Sequence, residues 1–309
     1  MLFSRILLPL DGSAHAEHAL PHAGHIARLF GSRLSLLRVL GGVEANGHTG
    51  SESIDWRLRR AEAERYLNAL KGDQRLRDVE TEVVVTEGRP AERIADHVRR
   101  NDIQLVIMSS WGAGGESEFP HGGTVFKVLA STGISYLVVN EVERTSGSEG
   151  YRRILVPLDG SYQAEAAAHV AVALDPGHDA DILLCHVVSE PVMPRRRPLT
   201  DTERSLKERL IECNRRVGGG YLEELRDQFG GQHRIRIRLE VARNPVACIT
   251  ELCRQEVPDL MILTAPSGID LKGGSGESIL QSLLSSTYLP TLVIRDNLNT
   301  SGDFTGNAK

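Results

Sequence analysis

Long apolar runs are missing from this chain of 309 residues. No stretch approaches the ~18 consecutive apolar residues that a membrane helix requires, so no membrane association is expected. Positive charge is not in excess: 36 Lys and Arg stand against 41 Asp and Glu, a net charge of −5. A chain without a basic field is not expected to bind nucleic acid. Aromatic residues make up 5% of the sequence, which leaves Leu, Ile, Val and Ala to build the core. Cysteine is scarce as well. Cys185, Cys213, Cys248 and Cys253 all fall in the second half, at spacings that match no zinc pattern. Reduced thiols in a cytoplasmic protein are the expectation. Met1–Arg5 leads directly into a strand-like run, and no secretory signal is expected. Two phosphate-binding signatures are also absent. No glycine-rich loop ends in Gly-Lys-Ser/Thr, which excludes a P-loop, and no G-x-G-x-x-G opens the first crossover, which argues against a dinucleotide fold.

What the chain does contain is itself, twice. Ile6–Ser13 reads ILLPLDGS and Ile154–Ser161 reads ILVPLDGS, at an offset of 148. Farther along, Gly88–Ile94 returns as Arg243–Ile249, and Leu137-Val138-Val139 returns as Leu292-Val293-Ile294, both at an offset of 155. A repeat this long means duplicated domains and not a solenoid. The expected domains are 1–141 and 151–297, followed by a disordered tail over 298–309. A polar link, Glu141–Gly150, joins them, and the loops Gly41–Ser51 and Glu190–Leu199 are expected to be mobile.

Each half alternates β-branched runs with longer helical patterns, the mark of a parallel sheet with crossover helices. Strands are predicted at Arg5–Leu10, Arg33–Leu40, Glu80–Thr86, Leu105–Ser109 and Ser135–Asn140, with helices over Ala14–Phe30, Ile54–Lys71, Pro90–Arg100 and Gly123–Ser131. The second half repeats this order. Its long helix, Asp201–Phe229, contains Gly218-Gly219-Gly220, where a break is expected because glycine disfavours helix by about 1 kcal/mol per residue.

Two segments carry candidate chemistry. The turn Pro9-Leu10-Asp11-Gly12-Ser13, repeated as Pro157–Ser161, sets an acidic residue at the carboxyl end of a central strand, where open α/β sheets bind ligands. Asp11 there either accepts hydrogen bonds from a ribose or base, or caps the next helix together with Ser13; position alone leaves both readings standing. The second segment runs from Ser109 through Gly112 to Gly122, Gly123 and Thr124. It follows a buried-looking strand and opens a helix, so its backbone N–H groups could cradle a phosphate.

Taken in order, these pieces resemble the universal stress protein family in its tandem form. The resemblance rests on ILLPLDGS and ILVPLDGS, on the mid-chain proline–isoleucine turn, and on LVIMSSWG…GGTVFKVL…YLVV with its counterpart LMILTAPSG…ESILQSLL…PTLVI. It implies α/β architecture with two flavodoxin-like, adenine-nucleotide-binding domains, each a parallel sheet of strand order 3-2-1-4-5, in contact through their last strands. It further implies an ATP-binding stress-response regulator without strong catalytic activity, working with or without magnesium, as a homodimer with a regulatory protein partner still to be identified. By the family pattern, Pro9, Asp11 and Val39 contact the nucleoside, and Ser109, Gly112, Gly122, Gly123 and Thr124 line the phosphates. In the second half the same positions fall on Asp159, Val187 and Ser278, but Glu277 places a carboxylate where a phosphate should approach. That site is expected to be degenerate, with Asp159 reduced to a cap. A nucleotide-independent interaction scaffold and a slow ATPase are the rival readings. No general base, nucleophile or metal cluster stands near the loop, which favours binding over turnover.

Two further features draw attention. His15, His18, His22 and His25 share one stripe of the first predicted helix, apart from its apolar face, and are expected to be a solvated flank. Arg195–Arg197 reads as a solvated loop, while Arg234, Arg236 and Arg238 alternate along a strand and should line an exposed face or sheet edge.

Overall fold

The computed structural model describes residues 2–41, 54–110, 123–140, 150–191, 198–265, 279–287 and 289–295. The expected tail lies outside these residues, as do most of the expected link and mobile loops, Arg195–Arg197, Gly112, Gly122 and Ser278. Among the described residues, no helix is long and apolar enough to cross a membrane.

The chain forms two compact units. The first contains β1 (Arg5–Pro9), β2 (Arg33–Leu40), β3 (Glu80–Glu87), β4 (Leu105–Ser109) and β5 (Ser135–Val139), joined by β10 (Thr291–Arg295) from the end of the chain. Their order is β3-β2-β1-β4-β5-β10. The first five strands are parallel, and β10 runs antiparallel to β5, with Leu292 opposite Leu137. All five residues of β4 and of β5 are buried, as are the three central residues of β1. Helices cover both faces of such a sheet, so its central strands read as unbroken apolar runs and not as alternations. The strand order reverses between β1 and β4, and the carboxyl ends of these strands therefore open a crevice at that edge.

The crossovers are α1 (Ala14–Glu17), α2 (Leu20–Phe30), α3 (Ile54–Lys71), α4 (Pro90–Arg100) and α5 (Gly123–Thr132). The single helix expected over 14–30 is broken at His18-Ala19. Pro21 is the cause, because its ring excludes the carbonyl of Glu17 from an intrahelical bond and fits only in a first turn. The expected solvated histidine flank is also corrected, since His22 is buried. A 3-10 turn at Gln74–Leu76 lies against α2, so that helix is covered by this segment as well as by the sheet.

The second unit holds β6 (Arg153–Leu158), β7 (Asp181–Ser189), β8 (Arg234–Ala242) and β9 (Leu260–Ala265), in the order β9-β6-β7-β8, all parallel. Its helices are α6 (Glu165–Ala173), α7 (Asp201–Gln228), α8 (Pro245–Glu256) and α9 (Ile279–Ser286). Leu155, Leu183, Cys185, Ile249, Leu252, Met261, Leu263 and Leu283 form one of its core clusters, and burial holds the Cys185 thiol well above the usual range. Strand β8 is the edge strand of this unit. Arg236 pairs with Asp181 and Glu256, and Arg238 with Glu240 and Glu256, so the edge is lined with paired charges that discourage a further strand.

Helix α7 runs unbroken through Gly218-Gly219-Gly220, against expectation. A Cβ at Gly218 would stand 2.9 Å from the His186 ring and 3.1 Å from Leu239, so this glycine lets the helix approach the sheet. Packing outweighs the propensity cost. Gly220 has open space around its Cβ position. Gly220→Ala should therefore raise stability by about 1 kcal/mol in urea unfolding, while Gly218→Ala should lower it.

Candidate functional site

The carboxyl edge of the first unit is built from the β1 turn outward. Ser13 caps α1 by accepting from the Ala16 N–H at 3.2 Å, and Asp11 Oδ1 accepts from the Ser13 N–H at 2.9 Å and from its hydroxyl at 2.6 Å. The repeat keeps the turn contacts, Asp159 Oδ1 accepting from the Ser161 N–H at 2.9 Å and Ser161 Oγ from the Ala164 N–H at 3.2 Å. Ser161 caps no helix there, since α6 starts only at Glu165 with Ala164 as its N-cap. Both aspartates thus shape the turn before helping any ligand. They differ in setting, with Asp11 half-buried and Asp159 exposed.

Pro9 and Val39 are half-buried at the ends of β1 and β2, and buried Ser109 ends β4 beside β5. Gly123 and Thr124 open α5, whose first N–H groups have no intrahelical acceptor. The topology brings all of these to one edge of one sheet, around the strand-order reversal. In the second unit, Val187 instead packs its side chain against the core cluster. Sequence reasoning passed over Ser110, next to the predicted glycine-rich loop. Its hydroxyl is buried and has no partner among the described residues.

A second omission is a cluster that recurs in both units. The guanidinium of Arg38 lies over Gly12, so close that a Cβ there would stand 2.2 Å from Nη1, and Gly12 holds φ +82°. The same guanidinium lies 5.7 Å from the centre of the Tyr66 ring, and Tyr66 Oη donates to Glu17 at 3.1 Å. Burial and the Glu17 carboxylate drive the Tyr66 phenol well above its usual range. In the repeat, the positions of Glu17, Arg38 and Tyr66 hold Glu165, His186 and Tyr221. The rings of His186 and Tyr221 meet edge-on with centroids 6.5 Å apart, and burial followed by Glu165 and Asp159 pushes the Tyr221 phenol up to about 12.

The cation is what separates the two copies. Arg38 Nε and Nη1 are buried and have no hydrogen-bond partner among the described residues, whereas His186 Nδ1 lies 2.8 Å from the Leu158 carbonyl and is satisfied by donating to it. The signal in the sequence was the offset itself, since 38 and 186 differ by 148 and 66 and 221 by 155.

A model of the universal stress protein family matches residues 2–140 and again residues 150–295. The chain belongs to the universal stress protein family. Each match spans one copy of the duplication, as a tandem form requires. Universal stress protein YxiE of Bacillus subtilis (strain 168) is 28% identical over 149 residues, 45% of this chain and 99% of that protein. A universal stress protein of Thermus aquaticus is 31% identical over 143 residues, again 45% of this chain and 99% of its own length. Among solved structures, a universal stress protein from Archaeoglobus fulgidus DSM 4304 superposes with a TM-score of 0.62, covering 94% of this chain and 96% of its own at 16% identity. A likeness at that identity concerns the fold, here over both units.

Proposed function

We propose that this universal stress protein is a nucleotide-binding regulator of the stress response that holds ATP, with or without magnesium, on its first repeat and has no strong catalytic activity. Family membership supports the general role. Arg38 carries the ligand reading: two buried guanidinium N–H groups without an acceptor among the described residues stand beside the β1 turn, at the strand-order reversal. A buried donor left without a partner costs about 1–3 kcal/mol, and more when charged, so an anionic ligand at this edge relieves that cost. Pro9, Asp11 and Val39 serve the nucleoside in this reading. Ser109, Gly112, Gly122, Gly123 and Thr124 serve the phosphates, mostly through backbone N–H groups that need no particular side chain. Asp159, Val187 and Ser278 form the weaker counterpart, in which His186 is already satisfied and Glu277 opposes an anion.

Heat extraction of the purified chain followed by nucleotide chromatography, then calorimetric titration with ATP, tests this. Arg38→Met should weaken ATP binding about tenfold or more, and Asp11→Ala should weaken it as well. His186→Ala should leave the affinity as it was. A chain purified without nucleotide that also fails to take up added ATP overturns the proposal in favour of a scaffold. Magnesium-dependent ADP release that disappears in Asp11→Ala would replace it with a slow ATPase.

A further inference from the structure

We infer that the second unit carries a site for a divalent transition-metal ion, zinc by its chemistry, formed by Asp175, His178 and His233. The duplication does not supply it, since the corresponding first-half positions hold Ala27, Phe30 and Asp78. Nor does it belong to the nucleotide edge. Asp175 and His178 lie between α6 and β7, and His233 directly precedes β8, so the three meet at the amino edge of the parallel strands.

The geometry suits three ligands of one ion. His233 Nδ1 lies 3.2 Å from His178 Nδ1 and 3.2 Å from Asp175 Oδ2, and the three atoms all fall within 4.8 Å of one another. An imidazole nitrogen offers one in-plane position, which holds a proton or a lone pair. A proton on His233 Nδ1 can satisfy the carboxylate or the second imidazole, but one proton cannot serve both well. A single cation serves all three. Ligands 2.0–2.1 Å from a tetrahedral zinc stand about 3.3 Å apart, close to the two separations observed. His178 is exposed, so rotation of its ring can close the remaining gap between it and Asp175.

The surroundings suit such a site. Asp175 is buried, and its Oδ1 accepts from the Asp179 N–H at 2.9 Å and the Ala180 N–H at 3.0 Å, which fixes the carboxylate and presents Oδ2 to the histidines. An anchored ligand of this kind loses little freedom on binding metal. His178 occupies the left-handed region at φ +57°, a conformation unfavourable for a residue with a side chain. A cleft bordered by Arg226, Asp227, Gly230, Gly231 and Ile235 reaches His233 and gives the ion a path, with water for the fourth position. Two imidazoles and one carboxylate are nitrogen and oxygen donors that favour zinc over magnesium or calcium. Bound there, the ion ties the α6–β7 turn to the α7–β8 turn.

Calorimetric titration of the full-length, chelator-stripped chain with zinc sulfate tests the inference. One zinc per chain should bind in the wild type, and His178→Asn should bind it about 100-fold more weakly. Asparagine tolerates the left-handed backbone, and the side chain is exposed, so this variant should keep its fold. Zinc should raise the thermal midpoint of the wild type and leave that of His178→Asn unmoved. The double variant His15→Ala/His18→Ala should bind like the wild type. The absence of stoichiometric uptake, the same uptake in His178→Asn, or loss only with His15 and His18 overturns the assignment.

Discussion

Gly24→Ala lowers the thermal midpoint of the first unit by about 10 °C, although alanine is the better helix former. The ordinary expectation for a glycine inside a helix is a gain of about 1 kcal/mol. Here a Cβ at position 24 would lie 2.1 Å from the carbonyl oxygen of Arg75 and 3.1 Å from its carbonyl carbon. Both are backbone atoms and cannot swing away as a side chain end could. The 3-10 turn would have to lift by more than 1 Å, from 2.1 Å to at least 3.4 Å, for ordinary contact, and three ties resist that. Leu76 is buried, Arg28 donates to the Arg75 carbonyl at 2.9 Å, and Arg75 is held by Asp73 at 2.8 Å. Overpacking of this kind costs about 3 kcal/mol, and at 2–4 °C per kcal/mol for a unit of this size the shift follows. Gly72→Ala is the control, because its nearest neighbour would be at an ordinary 3.5 Å. Differential scanning calorimetry of both variants decides the matter; a Gly24→Ala protein that melts at or above the wild-type temperature would show that the turn does not rest on α2.

Acid unfolds this protein through buried histidine. His22 is 5% exposed, and burial, with the neighbouring His25 adding to it, lowers its pKa from 6.5 to about 4. The unfolded chain takes up a proton at His22 near pH 6.5 while the native state stays neutral until about pH 4, so unfolding binds protons between those limits. Stability is therefore complete above about pH 6.5 and declines as the pH falls towards 4. This one group costs about 2 kcal/mol between pH 7 and pH 5. Burial also lowers the pKa values of His25, His97 and His169, which act in the same direction. Urea unfolding at the two pH values should show the loss, and His22→Asn should recover about 2 kcal/mol of the pH-dependent part. An unchanged dependence in that variant would remove His22 as the cause.

The elements were legible because their signals are local. In the first half, the bounds of β2, β4, α3 and α4 agree with the sequence reading to the residue, and those of β1, β3, β5 and α5 to within one. The misses share a cause. The break before Leu20 was written in Pro21, which the reading of one helix over 14–30 passed over. The glycine triplet of α7 was judged by propensity, whereas contact with His186 and Leu239 sets its role. His22 was placed on a wet flank because a helical projection cannot foresee which residues tertiary packing buries. The Arg38–Tyr66–Glu17 cluster could have been suspected from the repeat offsets, yet nothing in the sequence says that Arg38 lacks an acceptor among the described residues.

By itself, the sequence determined the duplication, the alternation of strands and helices, and the turn chemistry of LPLDGS, because each depends on residues within about one supersecondary unit. Tertiary structure decided which aspartate is shielded, which cation has buried N–H groups without a partner among the described residues, which glycine sits beneath a carbonyl, and that Asp175 and His178 meet His233 across 58 and 55 residues of chain. Those outcomes rest on contacts between segments remote in sequence, and only the closing of the fold sets their distances.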